Sequence, residues 1–191
     1  MNFKGATSKI WNYLKKDTWD SWLVSIILIF LVIKFVFFPL LSLTTGSSLP
    51  LVVVESCSLY HDTNFDDWWD SNGQWYESNN ITKEEFENYQ FSNGMNKGDI
   101  ILVIKKSEYK KGEIIIFNPE VQTRNPIIHR VVTTNPLSTK GDHNSDQLSI
   151  EKQISEEQII GKAVLKIPLL GWIKLVFFEP FKPKSERGLC G

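Results

Sequence analysis

A short segment after an apolar run holds the side chains best suited to covalent chemistry. In VVVESCSLYH, residues 52–61, two serines flank a cysteine: Ser56, Cys57 and Ser58. A serine hydroxyl attacks a carbonyl only when a neighbouring base removes its proton, whereas a thiolate is nucleophilic by itself. The segment therefore predicts nucleophilic catalysis, with either Ser58 or Cys57 as the nucleophile.

The base of such a site would come from the three histidines of the chain, His61, His129 and His143. His129 lies in IIHRVV, a β-branched run typical of a strand, which would hold its imidazole rigidly. A carboxylate orients such a histidine, and the turn-rich segment TKGDHNSD supplies Asp142 and Asp146. These residue types allow a Ser-His-Asp arrangement, but strand histidines and turn aspartates also occur for structural reasons alone.

An apolar segment upstream is long enough to cross a membrane. Residues 22–41 carry one charge, Lys34, and about 20 apolar residues span a bilayer as a helix. The run is longer than the apolar core of a cleaved signal peptide, and no clear A-x-A pattern follows it. We expect an uncleaved transmembrane helix over 22–41.

The charges that flank this segment predict its orientation. Four lysines precede it, and no Lys or Arg occurs between Leu41 and Lys83. The positive-inside rule predicts that residues 1–21 are cytoplasmic and that the chain after residue 41 is extracytoplasmic. We therefore expect a single-pass protein of the cell membrane or endoplasmic reticulum, with its N-terminus in the cytoplasm.

Residues 42–178 are expected to form one extracytoplasmic catalytic domain of β-strands. Short β-branched runs broken by Gly, Pro and Asn predict strands in LPLVVVES, KGDIILVIK, KGEIIIFNP, NPIIHRVVTT and EQIIGKAVLKIP. Such runs are typical of a small antiparallel β-barrel or sandwich, so the expected fold class is mainly β with one N-terminal transmembrane helix. Residues 179–191 are predicted to be a flexible tail.

Two parts of this domain depart from the strand pattern. Residues 59–98 hold eight Asp or Glu against two Lys, together with three tryptophans, and we interpret them as an acidic insertion. The capping-box spacing of Thr82 and Glu85 predicts a short helix there, and the tryptophans are expected to pack locally. Residues 169–178 are predicted to form an amphipathic segment at the bilayer surface.

Composition argues against several other kinds of function. A formal net charge of −1 gives no indication of a nucleic-acid partner. Two cysteines are too few for a zinc ribbon or a disulfide scaffold, and they leave the redox compartment open. We expect neither a metal nor a cofactor.

The motifs, taken in order, resemble those of type I signal peptidase, a serine peptidase family. The anchor, VVVESCSLYH, KGDIILV, IIHRVV and TKGDHNSD follow the order of that family from residue 22 to about residue 172. The likeness is to its archaeal and endoplasmic-reticulum branch, in which a histidine replaces the bacterial lysine. It implies Ser58 as nucleophile, His129 as base and Asp142 as the acidic partner. Asp146 is the nearest match to a further acidic residue of the family.

The resemblance implies a membrane-bound serine endopeptidase that removes signal peptides from exported preproteins. The expected partners are preprotein signal peptides, the lipid bilayer and further membrane subunits. Cys57 stands where the family often has glycine, and we expect it to be structural because neighbouring residues of an extended segment point in opposite directions. The alternative is a non-catalytic subunit or adaptor on the same scaffold.

Overall fold

The protein divides into two compact units, residues 1–44 and 45–191. The structure, a computed structural model, describes residues 11–119 and 126–191. Two of the four lysines that predict the orientation, Lys4 and Lys9, lie outside the described residues.

One apolar helix of 27 residues, Trp19–Thr45, is the main element of the N-terminal part. It consists of α1 (Trp19–Val32), a π-helical turn (Ile33–Phe37) and α2 (Phe38–Thr45). Its most apolar stretch is not buried within the protein, unlike the core helix of a soluble domain. By length and composition the helix can cross a bilayer, and it extends beyond the predicted span at both ends.

The π-helical turn has a local cause in the sequence. Pro39 has no N–H to donate to the preceding turn of the helix. The N–H of Phe38 reaches back to the carbonyl of Ile33, which is the wider spacing of a π-turn. The proline is thereby accommodated without ending the helix.

The second unit is built on one six-stranded antiparallel sheet, with the strand order β1-β2-β6-β3-β4-β5. All five predicted strands are present, and β5 is an addition. The strands are β1 (Leu51–Val53), β2 (Ile100–Ile104), β3 (Ile114–Phe117), β4 (Ile127–Thr134), β5 (Leu137–Lys140) and β6 (Ile159–Ile167).

The expected mainly β class is overstated. Helix accounts for 39% and strand for 19% of the described residues, because both the anchor and the insertion are helical. The described strands follow one linear order, with β1 and β5 at the two edges, rather than the closed ring of a barrel.

The acidic insertion forms two helices between β1 and β2, namely α3 (Phe65–Ser78) and α4 (Lys83–Glu87). The N–H of Glu85 donates to the hydroxyl of Thr82 at 3.2 Å, so the predicted short helix and its N-cap are confirmed. The sequence reasoning missed α3, which begins after Asn64 as its N-cap.

The tryptophans of the insertion pack locally, as expected. Trp68 and Trp69 are buried with Tyr76 and Phe86 against Val132 of β4. This aromatic cluster covers one face of the strand that carries His129.

The chain after β6 folds back onto the domain. Helix α5 (Trp172–Phe178) is followed by two short 3-10 turns, Glu179–Phe181 and Lys184–Glu186. Cys190 forms a disulfide with Cys57. The segment predicted to be a flexible tail is therefore tied to the domain.

Candidate active site

The predicted nucleophile lies in the segment that follows β1. Ser58 is half-buried, and its Oγ lies 3.2 Å from Oγ of Ser56. Its carbonyl oxygen accepts a hydrogen bond of 2.8 Å from the N–H of His143. Cys57 is in a disulfide and presents no free thiol, so the hydroxyls of the two serines are the nucleophilic groups left in this segment.

The imidazole of His129 is oriented by a buried glutamate. His129 is 4% exposed and Glu151 is fully buried, and Nδ1 of the histidine is hydrogen-bonded to Oε2 of the glutamate. The same carboxylate accepts from Oγ1 of Thr139 at 3.0 Å and from the N–H of Leu148 at 2.6 Å. A carboxylate on Nδ1 selects the tautomer that carries its proton there, which leaves the lone pair of Nε2 free to accept a proton.

Gly141 brings the histidine and the nucleophile segment together. A Cβ placed on this glycine would lie 2.7 Å from Nε2 of His129 and 2.9 Å from the carbonyl oxygen of Ser58. The two groups therefore flank the same point of the backbone. Only glycine fits there, because any side chain would collide with both.

Asp142 does not orient His129, contrary to the sequence expectation. Its carboxylate binds Nε of Arg130 at 2.9 Å and Nη2 at 2.6 Å. Successive residues of a strand point to opposite faces, so the side chains of His129 and Arg130 diverge. The register of β4 and β5 pairs Arg130 with Lys140 and Val131 with Thr139, which puts the Thr139–Glu151 contact on the His129 face.

The insertion supplies the remaining contacts of Asp142. Nε2 of His61 lies 3.1 Å from its Oδ2, and the hydroxyl of Tyr76 donates to its Oδ1 at 3.0 Å. The ring of His61 stacks on Trp68 with 3.7 Å between centroids. Burial raises the pKa of the Asp142 carboxyl, but Arg130 and His61 outweigh it and hold that pKa well below its usual range.

Arg130 is fully buried. Its guanidinium also donates to the carbonyls of Gln90 and Phe91 in the insertion and of Gly112 before β3, at 2.9–3.1 Å. A buried charge is tolerated when it is paired and its donors are satisfied. The Arg130–Asp142 pair thus joins the insertion, the sheet and the loop that carries Gly141.

Asp146 lies apart from this arrangement. It is exposed and accepts hydrogen bonds from Nε1 of Trp75 at 2.9 Å and from the N–H of Gln147 at 2.7 Å. The further acidic residue near the histidine is Glu151, which sequence reasoning missed. Glu151 is the next acidic residue along the chain after Asp146.

A buried lysine lies beside the site on the Arg130 face. Lys140 is 1% exposed, and its Nζ lies 4.8 Å and 5.1 Å from the ring centroids of Tyr76 and Trp75. Nζ donates to the carbonyl of Gly141 at 3.1 Å. Burial lowers the pKa of this amine to about 8. It braces the Gly141 loop from the side opposite His129.

The residues together offer a hydroxyl, an imidazole bound through Nδ1 and a buried carboxylate behind it, which is the set needed for acyl transfer. Within the described ranges, no group of three or more His, Cys, Asp or Glu could hold a metal ion. The chain matches no protein-family model, and no curated protein matches it at a significant level.

Proposed function

We propose that this chain is a membrane-anchored serine endopeptidase of the signal peptidase type, which removes signal peptides from exported preproteins. The observation that carries the proposal is the buried His129–Glu151 pair, with Nε2 facing Gly141 beside the backbone of Ser58. The order of motifs from the anchor to TKGDHNSD supports the choice of substrate.

In the proposed reaction, His129 acts as general base and then as general acid. Nε2 takes the proton of Ser58 Oγ as this oxygen attacks the scissile carbonyl. The same proton passes to the amine of the mature protein as the peptide bond breaks, which leaves the signal peptide as an ester on Ser58. Water then attacks the ester with His129 as base, and the signal peptide leaves. Glu151 stabilises the imidazolium formed in each half.

The open edge of β1 is the proposed binding site for the preprotein. β1 is an edge strand that pairs only with β2 among the described strands, and an extended peptide can add to such an edge as a further strand. The chain leads from β1 directly to Ser58, so an added peptide would run toward the nucleophile. The backbone N–H of Ser58 is the proposed donor to the oxyanion.

Helix α5 carries the surface that we propose to rest on the bilayer. Ile173, Val176 and Phe177 are 69%, 60% and 71% exposed, and Lys174 lies among them. Apolar side chains flanked by lysine are typical of a helix that lies in the headgroup region. Trp172 does not belong to this surface, because its Nε1 donates to the carbonyl of Lys97 at 3.0 Å.

The proposed localisation is a single-pass membrane protein with this domain outside the cytoplasm. The lysines before the helix and their absence after it support this orientation. A disulfide in the second unit accords with it, because disulfides persist in oxidising compartments.

The test is cleavage of a preprotein by the full chain in detergent or liposomes. We expect Ser58→Ala to abolish cleavage, whereas Ser56→Ala, the matched control two residues away, remains within about tenfold of wild type because its hydroxyl only contacts that of Ser58. Equal cleavage by wild type and Ser58→Ala would exclude the serine mechanism. If wild type cleaves no preprotein, the adaptor alternative takes its place.

A further inference from the structure

The C-terminal segment 179–190, here called the strap, returns from helix α5 to the nucleophile segment. It ends at the disulfide between Cys190 and Cys57, which are 133 positions apart in the chain. Cys57 directly precedes Ser58. The sequence predicts a structural role for Cys57. Its disulfide with Cys190 connects the strap to the segment that holds Ser58.

The root of the strap is held by a buried ion pair. Nζ of Lys97, at the end of the insertion, lies 2.9 Å from Oε2 of Glu179, and the lysine is 2% exposed. The same Glu179 oxygen accepts from the N–H of Gly188 at 2.8 Å. Lys97 also donates to the carbonyl of Glu186 at 2.5 Å. The strap therefore curls around one lysine before it reaches Cys57.

A second contact joins the strap to the residues before the nucleophile. Nζ of Lys182 donates to the carbonyl of Glu55 at 3.3 Å and lies 3.5 Å from its carboxylate. Lys174 of α5 approaches the same carboxylate at 2.8 Å. Residues 55 and 57 are thus both bound from the C-terminal side of the chain.

Ser58 is consequently held between two supports. On one side, the N–H of His143 binds its carbonyl oxygen in the loop that carries Gly141. On the other, the strap binds Glu55 and Cys57. Ser56, between Glu55 and Cys57, is exposed, whereas Leu59 after Ser58 is buried and its carbonyl accepts from the N–H of Met95 at 2.8 Å. The strap therefore holds the segment on the side that precedes Ser58.

We propose that the strap positions Ser58 for attack and that the Cys57–Cys190 disulfide makes the peptidase activity dependent on the oxidised state. This inference rests on the proposed function. Cys57, Cys190 and Lys182 are positioning residues that act through the backbone of the nucleophile segment. A displacement of about 1 Å at a reacting atom can lower a rate by about 100-fold.

The redox step is an exchange with a dithiol. A dithiol reductant donates two electrons, the bond between the two sulfurs breaks, and each sulfur takes one proton to become a thiol. The reductant becomes a cyclic disulfide. Cys57 and Cys190 are half-buried rather than buried, and the rate of the exchange depends on the access of the thiol to the sulfurs.

The experiment compares the full chain in detergent with and without dithiothreitol, using Cys190→Ser as the variant without the bond. We expect reduction to lower kcat about 10- to 100-fold with little change in KM, since the strap contacts the nucleophile segment and not the β1 edge. Cys190→Ser should match reduced wild type and should not respond further to dithiothreitol. Reoxidation should restore wild type.

Hydrogen exchange of residues 54–60 tests the same inference without any substrate. Reduction should raise exchange in this segment, whereas the strands β3 and β4 should keep their protection. Unchanged exchange, or an unchanged kcat at a temperature where reduced protein is still folded, overturns the positioning role. Increased exchange in a protein that cleaves no preprotein in either state would instead overturn the proposed function and, with it, the redox dependence.

Discussion

His129 and Glu151 form a buried hydrogen-bonded pair on one face of β4, whereas the neighbouring residue of the strand, Arg130, pairs with Asp142 on the other face. Because successive side chains of a strand point to opposite faces, the two carboxylates Glu151 and Asp142 lie on opposite sides of β4 and have different partners. Glu151 sets the tautomer of the proposed base. Asp142 joins the insertion to the loop that carries Gly141, so its task is structural.

The first prediction concerns Glu151→Gln. The amide has nearly the shape of the carboxylate, but its NH₂ group can donate to Nδ1 of His129. The histidine would then carry its proton on Nε2, where it can no longer accept one from Ser58. We expect kcat to fall by about 10³- to 10⁴-fold, as with a triad aspartate, with little change in KM. Steady-state cleavage of a preprotein measures both.

The matched control for this variant is Asp146→Asn, which changes an exposed carboxylate that binds Trp75 and Gln147. Its kcat should stay within a few-fold of wild type because it does not touch His129. The assignment of Glu151 would fail if Glu151→Gln retained full activity, or if both variants lost activity equally.

The second prediction is acid destabilisation through Asp142. Its folded-state pKa is lowered, so the stabilisation is fully present above the unfolded pKa of about 4 and is lost as the pH falls below it. Asp142→Asn should be less stable than wild type at pH 7, because Arg130 loses its buried partner. The difference in stability between the two proteins should shrink as the pH falls from about 4 toward the lowered folded-state pKa of Asp142. Denaturation of detergent-solubilised protein across this range measures the difference, and parallel curves would contradict the prediction.

The third prediction concerns alkaline pH and Lys140. Burial lowers its pKa to about 8 although Asp142, Glu151 and Asp146 raise it, whereas an unfolded lysine titrates near about 10.4. Between these values the unfolded state binds more protons, so wild-type stability gains a contribution as the pH rises from 8 to 10. Lys140→Met keeps the stem between the aromatic rings and should lack this contribution. An identical pH dependence in both proteins would refute it.

The strands that carry the site were predictable from the sequence because they are short β-branched runs separated by turn residues. His129 and Ser58 could be selected for the same reason, since each lies in or directly after such a run. Strand β5 was not predicted, because LSTK has no apolar alternation. Its pairing with β4 depends on contacts that sequence periodicity does not contain.

The acidic partner of His129 could not be identified from spacing alone. Asp142 and Asp146 are near in sequence and lie in a segment with turn chemistry, whereas Glu151 lies beyond an irregular stretch and reaches His129 only through the folding of that stretch. The pairing of Cys57 with Cys190 was missed for a similar reason. The two cysteines are 133 positions apart, and Cys190 lies in a segment predicted to be flexible. Sequence separation alone does not show whether two such residues come close enough to form a disulfide.

The insertion was recognised by its charge, but its role depends on a few buried side chains. His61 and Tyr76 bind Asp142, and the carbonyls of Gln90 and Phe91 bind Arg130. An acidic, tryptophan-rich composition suggests a solvated surface, yet the residues that matter face inward. Tyr76 belongs to α3 and His61 stacks on Trp68 of the same helix, and the sequence reasoning did not predict this helix.

The last prediction concerns the proposed membrane surface of α5 and the Phe177→Glu variant. Phe177 is 71% exposed, so a charge there should cost the folded domain little, but it should oppose insertion into the headgroup region. Cleavage of a soluble peptide in detergent should be unchanged, whereas cleavage of a preprotein in liposomes should slow several-fold. Gln74→Glu is the matched control, because it adds the same single negative charge at an exposed position outside α5. Equal liposome activity of wild type and Phe177→Glu would show that α5 does not contact the bilayer. Equal slowing by both variants would indicate that net charge, rather than the apolar surface of α5, governs access to the membrane.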